Sequence, residues 1–369
     1  MHSEPLIILV VATALAFDFT NGFHDTANVV ATSISTRALS PRVAVGLAAI
    51  LNFAGAFISL KVAATVATGI IDSGAITLPI VFAGLIGASV WNLATWYFGL
   101  PSSSSHALIG GVVGSMIAAK GTGAVQFDGL LGKVVIPALI SPILAFAVAA
   151  TAIVLTYRMT ARLRPGPAGR GFRYGQVLSG AMLALAHGTN DAQKTMGVIA
   201  LALVANGDIS AAHFAVPDWV VIAAASAIAL GTYAGGWRII RTLGSRIIKM
   251  DPAQGFTAQS AGAAVVLAAS HVGFPLSTTH VMAGGIIGAG SGKRLSAVRW
   301  GIAGNMAIAW LLTLPAAAAV GAATYGISVA IGNGTLGPFV IAAVAAAAIL
   351  ATMTRRAREL QTKPAGAKP

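Results

Sequence analysis

Two polar groups of similar sequence lie inside strongly apolar stretches of the chain. Residues 21–28 read NGFHDTAN and contain Asp25, and residues 187–194 read HGTNDAQK and contain Asp191. A charged side chain at the centre of a bilayer costs at least about 2.5–3.5 kcal/mol, so it is retained where it faces protein, water or a partner. Carboxylate and amide oxygens of this kind can coordinate a small cation or relay a proton. The alternative is that each aspartate only caps a half-helix through backbone N–H groups.

Two runs of hydroxyl side chains form a second duplicated pair. Residues 100–114 read LPSSSSHALIGGVVG, and residues 274–288 read FPLSTTHVMAGGIIG. Hydroxyls and free N–H groups at a helix N-terminus form an anion site that the helix dipole supports. Two such termini that meet would hold a tetrahedral oxyanion from opposite sides. A single run is equally well explained by ordinary helix capping.

The two motifs recur in the same order, which indicates an internal duplication that aligns Asp25 with Asp191. The chain therefore divides into two repeats and a final helix. Each repeat holds about five membrane-embedded segments, and because five is odd, the second repeat enters the membrane from the opposite side. Inverted repeats with interrupted helices are typical of secondary transporters, whose site lies near the midplane where the repeats meet.

The composition is that of a polytopic membrane protein. Hydrophobic residues make up 56% of the 369 residues and charged residues only 9%, with a mean hydropathy of +0.83. A soluble domain carries about 25% charged residues, so an ordinary soluble enzyme is excluded. The net charge of +13 comes from basic residues in short segments between apolar runs, which is typical of cytoplasmic loops. We therefore expect a lipid bilayer as partner and no nucleic acid.

About 20 apolar residues span a bilayer. We predict an all-α protein with eleven embedded segments, at 5–36, 42–66, 76–98, 101–119, 132–157, 175–205, 216–237, 255–273, 275–292, 300–325 and 335–353. The segments 5–36 and 175–205 are too long for one plain span and contain polar residues, so we expect each to be a broken helix or a helix with a half-helix attached. Those that begin at Pro101 and Pro275 are short and are expected to be re-entrant hairpins or half-helices.

The loop charges define the predicted division of the chain and its orientation. The basic loop from Arg158 to Arg173 should be cytoplasmic, with the N-terminus outside and the tail inside the cell's inner membrane. The predicted units are a first repeat at 1–157, a basic cytoplasmic linker at 158–174, a second repeat at 175–325, a final helix at 326–354 and a cytoplasmic tail at 355–369.

The segments GFHDTAN, HGTNDAQKTMG, PSSSSH and PLSTTH resemble the duplicated signatures of the inorganic phosphate transporter (PiT) family, in its bacterial low-affinity form. The resemblance covers nearly the whole chain. It implies electrochemically driven symport of inorganic phosphate, an inverted-repeat fold and often a homodimer. It also implies site residues. The ion-coupling site would contain Asp25, Asn28, Asn190 and Asp191, and phosphate would contact Ser103, Ser104, Ser105, Ser277, Thr278 and Thr279, with Gln193 nearby.

The sequence departs from the commoner family pattern, which reads Gly-Ala-Asn-Asp-Val-Ala-Asn in both halves. His24 replaces an asparagine in the first copy, and Gln193 and Lys194 replace Ala-Asn in the second. An ammonium at Lys194 repels Na⁺ and attracts HPO₄²⁻, so we place Lys194 among the substrate-binding residues. The departures resemble bacterial members that couple to protons and carry phosphate partly as a divalent-metal complex. His24 or an aspartate would then carry the proton. No cofactor is expected.

Four alternatives stay open from the sequence. Coupling to sodium would keep both fold and substrate, and sulfate, which is also tetrahedral, would keep the fold. A passive channel is disfavoured by broken helices duplicated around acidic residues. An intramembrane hydrolase that uses Ser104 and His106 is disfavoured because no nucleophile motif surrounds them.

Overall fold

The computed structural model describes residues 4–210, 214–332 and 334–362, and its described regular structure is helical, apart from one isolated bridge between Ile71 and Val125. The predicted all-α class is therefore confirmed. The first half contains α1 (Glu4–Ser35), α2 (Pro41–Gly55), α3 (Lys61–Thr68), α4 (Leu78–Phe98), α5 (Ser104–Lys120), α6 (Phe127–Leu130) and α7 (Ile136–Thr160). The second contains α8 (Pro165–Asn206), α9 (Asp218–Ala234), α10 (Trp237–Arg241), α11 (Pro252–Val272), α12 (Thr278–Lys293), α13 (Trp300–Ile331) and α14 (Leu336–Thr362).

Several helices are long and apolar enough to cross a bilayer. Within the described residues these are α1, α4, the run Phe127–Thr160 and α13, and the bent pair Asp218–Ala234 and Trp237–Arg246 makes a fifth. The number of described helices that pass this test of length and composition is smaller than the eleven embedded segments that we predicted. The other embedded segments are shorter or carry polar side chains, as α8 does around Asp191, and those side chains face protein.

The prediction that 5–36 and 175–205 are broken helices is wrong. Both α1 and α8 run without interruption through their polar motifs. The polar side chains form hydrogen bonds with neighbouring helices. For example, Asp18 on α1 accepts a hydrogen bond from Thr195 Oγ1 on α8 at 2.9 Å. The backbone ladder of each helix can therefore stay intact.

The breaks lie one segment further along each repeat. The predicted span 42–66 is divided between α2 and α3 by residues 56–60, and the span 216–237 bends by 58° at Gly235 and Gly236. The half-helices predicted after Pro101 and Pro275 are present as α5 and α12.

Helix packing repeats itself between the two halves, as the duplication predicts. Helix α5 packs on α13, and its counterpart α12 packs on α7. Likewise α1 packs on α9 and α8 on α2, while α4 contacts α5 and α11 contacts α12. In each half, helices pack against helices of the other half. The opposite membrane orientation of the halves stays a prediction.

The predicted unit boundaries differ from the helix ends. Boundaries at 157 and 325 fall inside α7 and α13, and the linker 158–174 is non-helical only at 161–164. Helix α14 continues to Thr362, so the predicted tail begins within a helix, and residues 363–369 lie outside the described part.

Two equivalent glycines let the helices of the two halves approach closely. A Cβ atom at Gly22 would lie 2.4 Å from the carbonyl oxygen of Ile228, and one at Gly188 would lie 2.1 Å from that of Asn52. Small residues at helix crossings are the usual means of close packing inside membranes. These glycines hold α1 against α9 and α8 against α2, beside the polar motifs.

We expect Gly188→Ala to lower the free energy of unfolding by about 1–3 kcal/mol, because the new methyl group overpacks a helix crossing. Gly46→Ala is the matched control, since Gly46 is also helical and a Cβ atom there meets nothing within 4 Å. That change should be neutral or stabilising, because alanine favours helix over glycine by up to about 1 kcal/mol. Thermal unfolding in detergent micelles measures both. Equal stability of the two variants would contradict the packing argument.

A polar cluster joins the ends of three helices on the predicted cytoplasmic side. Asp251 caps α11, and its Oδ1 accepts a hydrogen bond from the backbone N–H of Gln254 at 3.0 Å. Its Oδ2 accepts hydrogen bonds from Tyr157 Oη at 2.6 Å and from Lys293 Nζ at 3.0 Å. Burial alone would raise the pKa of Asp251, but these three bonds outweigh it and hold the pKa below its ordinary value.

We expect Asp251→Asn to lower the free energy of unfolding at pH 7 by about 1 kcal/mol, and the melting temperature with it, although asparagine still caps the helix. A carboxyl with a lowered pKa stabilises the fold above the pKa of the unfolded chain, and the gain is lost as the pH falls through the folded value. The difference between wild type and variant should therefore shrink between about pH 5 and pH 3. Asp128→Asn, at an exposed aspartate, is the control. A difference that grows on acidification would contradict this account.

Candidate functional site

The two repeated aspartates meet in the interior of the molecule. Asp25 on α1 and Asp191 on α8 lie with His187 so that one ligand atom of each falls within 4.8 Å of the others. Asp25 is 1% exposed and Asp191 is 0% exposed. The duplication predicts this meeting, and the structure brings the two residues together.

The two hydroxyl runs form the first turns of α5 and α12, and these helix starts lie against the two carboxylates. Ser104 Oγ at the start of α5 donates to Asp25 Oδ2 at 2.6 Å, and Thr278 Oγ1 at the start of α12 donates to Asp191 Oδ2 at 3.2 Å. These are equivalent bonds in the two repeats. A bond across the repeats joins them, because Thr279 Oγ1 donates to Asp25 Oδ1 at 3.3 Å.

Lys194 places a positive charge at the centre of this cluster. Its Nζ donates to Asp191 Oδ1 and Ser105 Oγ, both at 2.5 Å, and to the backbone carbonyl of Leu276 at 2.6 Å. The ammonium thus joins its own carboxylate to the start of α5 and to the chain just before α12. It satisfies all three of its donors while remaining 2% exposed, as a buried ion requires.

Asn28 is the counterpart of Lys194 in the first repeat and also reaches the opposite repeat. Its Nδ2 donates to Thr279 Oγ1 at 2.9 Å and to Thr278 Oγ1 at 3.3 Å. Its Oδ1 is buried and has no hydrogen-bond partner among the described residues. An open acceptor beside two carboxylates can take a proton-bearing ligand oxygen or a cation.

His24 connects Asp25 to a chain of hydroxyls. Its Nδ1 donates to Asp25 Oδ1 at 2.8 Å, and its Nε2 lies 3.2 Å from Thr95 Oγ1, which also accepts from Ser102 Oγ at 2.8 Å. Thr95 Oγ1 lies 2.9 Å from the carbonyl of Trp91, which is an alternative acceptor for its proton. By rotating, this hydroxyl can donate either to His24 Nε2 or to the Trp91 carbonyl.

His187 faces acceptors on both sides of its ring. Its Nε2 lies 3.1 Å from Asp191 Oδ2, and its Nδ1 lies 3.2 Å from Asn52 Oδ1. The Asn52 amide nitrogen donates to Thr232 Oγ1 at 2.8 Å, which fixes the amide orientation. His187 thus lies between the Asp191 carboxylate and the Asn52 amide and links α8 to α2.

Two predicted site residues, Gln193 and Asn190, make their hydrogen bonds outside the charged cluster. Gln193 does not join the cluster, because its Oε1 accepts from the backbone N–H groups of Val62 and Ala63 at 2.8 and 3.2 Å. Asn190 donates to Ser270 Oγ at 2.8 Å and to the carbonyl of Phe274 at 3.1 Å, and so holds the chain after α11.

Ser103 and Ser277 are the caps of the two hydroxyl helices. Each accepts a hydrogen bond from the backbone N–H three residues on, at 3.1 Å from His106 and 3.3 Å from His280. The two histidines pack ring against ring with centroids 4.9 Å apart. Capping thus accounts for these two serines, whereas the next two residues of each run contact the charged cluster.

Sequence reasoning missed three contributors to the site. His187 stands in the second motif, and its position one turn before Asp191 was the available signal. Thr95 lies in an apolar helix with no motif around it. The carbonyl of Leu276 takes part only because the chain between α11 and α12 is not helical.

Asp25, His187 and Asp191 offer two carboxylates and an imidazole, which is a donor set for a divalent cation. The geometry does not favour a resident metal, because the Lys194 ammonium already lies on Asp191 Oδ1. A second cation there would have to displace it. The arrangement is instead a closed, hydroxyl-rich cluster at the starts of α5 and α12, in which Lys194 balances the charge of Asp191.

Comparison with known proteins identifies similar chains. Residues 21–321 match the Phosphate transporter family. A relative from Mycobacterium bovis, described as a probable low-affinity inorganic phosphate transporter, is 55% identical over 322 residues, which cover 87% of this chain and 77% of the relative. Relatives from Rhizobium meliloti and Bacillus subtilis with the same description are 49% and 44% identical, and each match covers 87% of this chain and 96% of the relative.

One solved structure is similar over most of its length. It is described as the sodium-dependent phosphate transporter and aligns with a TM-score of 0.78 at 24% identity. The alignment covers 88% of this chain and 98% of that chain. At this identity the match shows a shared fold.

Proposed function

Because the chain belongs to the phosphate transporter family, whose members are transporters and not enzymes, we propose that it imports inorganic phosphate across the cytoplasmic membrane by proton-coupled symport. The observation that carries this proposal is the Lys194 ammonium, held between Asp191 and Ser105 where the two hydroxyl helices begin. A fixed positive charge among hydroxyl donors suits a tetrahedral anion.

Phosphate would replace hydrogen bonds that the cluster makes within itself. Ser104 and Thr278 donate to the two carboxylates, and the same hydroxyls can turn to donate to phosphate oxygens. Asp25 would accept a hydrogen bond from a P–OH group of phosphate. Sulfate is fully ionised at neutral pH and has no proton to donate, so an ionised Asp25 favours phosphate over sulfate.

The proton is the coupling ion that the site supports best. The position where a sodium ion would meet Asp191 is taken by Lys194, and both aspartates have a histidine within 3.1 Å. His24 contacts Asp25 through Nδ1 and Thr95 through Nε2, so it links the carboxylate to a chain of hydroxyls along which a proton can move. Sodium coupling is the alternative, and the description of the solved neighbour favours it.

Transport requires the closed site to open to each side in turn. Asp25, Asp191 and Lys194 are buried, so phosphate reaches them only when α5 and α12 move relative to α1 and α8. In the proposed cycle, phosphate and a proton enter from outside, the cluster closes, and the other side opens. A divalent metal would travel as part of the substrate only if it displaced Lys194, and a homodimer is supported by the resemblance alone.

Labelled phosphate uptake into liposomes that contain the purified protein tests the substrate. We expect saturable uptake in sodium-free buffer with an inward proton gradient, and no inhibition by a tenfold excess of sulfate. Protein-free liposomes are the control. Strong inhibition by sulfate would assign the protein to the sulfate alternative, and uptake that does not saturate would indicate a channel.

A further inference from the structure

The junction between α7 and α8 carries an unbalanced positive charge. Five arginines and no acidic residue lie between 158 and 173, and all five arginine side chains are exposed. None of them lies within 4.0 Å of a carboxylate in the described part of the chain. This density of unpaired guanidinium groups calls for an anionic partner.

An apolar groove opens beside these arginines. It has a volume of about 600 Å³, and its lining includes Leu163, Arg164, Gly171, Phe172, Gly175 and Phe256. The groove exists because α8 has glycine at two positions one turn apart. A Cβ atom at Gly175 would lie 3.0 Å from the Phe256 ring, whereas one at Gly171 would meet nothing within 4 Å.

The groove lies where the hydrocarbon of the membrane ends. The apolar run Phe127–Thr160 stops at the groove, and Met159 next to its end is 82% exposed. On α8, Tyr174 is 77% exposed just after the basic stretch. Exposed aromatic residues and arginines that meet at the end of an apolar span are typical of the headgroup region.

We propose that this groove binds one anionic phospholipid, with an acyl chain against Phe172 and Phe256 and the phosphodiester group on Arg164 and the neighbouring arginines. The apolar lining excludes a free phosphate ion as the occupant, because it offers hydrocarbon contacts that such an ion cannot use. Guanidinium groups bind phosphate oxygens in pairs. The cytoplasmic leaflet, which the arginines are predicted to face, carries the anionic lipids.

The lipid site is separate from the transport site. Its residues come from the ends of α7 and α8 and from Phe256, whereas the charged cluster lies deeper, around Asp191. A lipid held there would join the last helix of the first repeat to the first helix of the second. Lipid binding can be measured without transport, so its test is independent of the proposed substrate and coupling ion.

Native mass spectrometry of the full chain in detergent micelles, doped with equal amounts of phosphatidylglycerol and phosphatidylcholine of the same acyl chains, tests the proposal. We expect the phosphatidylglycerol adduct to exceed the phosphatidylcholine adduct at least fivefold, since each basic residue near anionic lipid contributes about a fivefold preference. Arg164→Gln with Arg170→Gln should remove most of that preference. Equal binding of the two lipids by the wild type would overturn the proposal.

A groove-filling variant separates this site from general attraction between charges. Gly171→Leu keeps every arginine but fills the groove, so the phosphatidylglycerol adduct should fall at least fivefold. Gly304→Leu is the matched control, because Gly304 is another exposed helical glycine with open space around it. Both variants should melt like wild type in detergent micelles doped with phosphatidylcholine alone. Retention of the adduct in Gly171→Leu, or its displacement by glycerol phosphate, would overturn the proposal.

Discussion

Replacing Lys194 with methionine is expected to reduce phosphate uptake at least about a hundredfold. Methionine is unbranched like lysine and one atom shorter, and it removes the charge and the three hydrogen bonds to Asp191, Ser105 and Leu276. Breaking a buried ion pair by removing one partner costs about 3–5 kcal/mol, because the remaining carboxylate is left uncompensated. In the proposed site, the substrate anion would also lose the positive charge of Lys194 and would face the two carboxylates.

Stability and transport are distinguished by a second variant. Lys194→Met should melt at a lower temperature than wild type, and Lys194→Met with Asp191→Asn should recover much of that loss, because the unpaired charge is gone. The double variant should still not take up phosphate. Lys120→Met, at an exposed lysine at the end of α5, controls for the loss of a positive charge. Uptake by Lys194→Met within threefold of wild type would contradict the role of this residue.

Replacing both His24 and Lys194 with asparagine is expected to change the coupling ion. Both positions carry an asparagine in the commoner pattern of the family, and both lie on the carboxylates of the site. The two changes remove a titratable imidazole and a fixed ammonium and supply amide oxygens, which are ligands suited to a hard cation. Sodium should then stimulate phosphate uptake at least about tenfold, which corresponds to about 1.4 kcal/mol of cation binding.

The measurement is initial uptake of labelled phosphate into liposomes, first with and without sodium at equal pH on both sides, and then in sodium-free buffer with an inward proton gradient. Wild-type uptake should not change with sodium. His24→Asn alone should lose proton-driven uptake without gaining sodium stimulation, because Lys194 still occupies the cation position. Sodium stimulation of the wild type equal to that of the double variant would contradict the assignment of these two residues.

The duplication in the sequence predicted that Asp25 and Asp191 lie close together, because a pseudo-two-fold axis relates their positions and both lie in polar motifs. The same symmetry relates the bond from Ser104 to Asp25 to the bond from Thr278 to Asp191. The four motifs also identified the family, which the comparisons confirm. Periodicity and length were sufficient for the helices themselves, since apolar segments of this size have few alternatives in a membrane.

The breaks in the helices were not predictable from composition. Polar residues suggested interruptions in α1 and α8, but a polar side chain with a lateral partner leaves the helix intact. The real break before α3 depends on Gln193, which accepts hydrogen bonds from the free N–H groups of Val62 and Ala63. That contact joins residues 130 positions apart along the chain, and nothing in the local sequence of either partner signals it.

The most direct test of proton-coupled phosphate symport is uphill accumulation of labelled phosphate in sodium-free proteoliposomes. The membrane potential is held at zero with potassium and valinomycin, and a proton gradient, acid outside, is the only driving force. We predict that the internal concentration rises above the external one, that a protonophore returns it to equality, and that Lys194→Met shows no accumulation. Accumulation that appears only when an inward sodium gradient is supplied would contradict proton coupling.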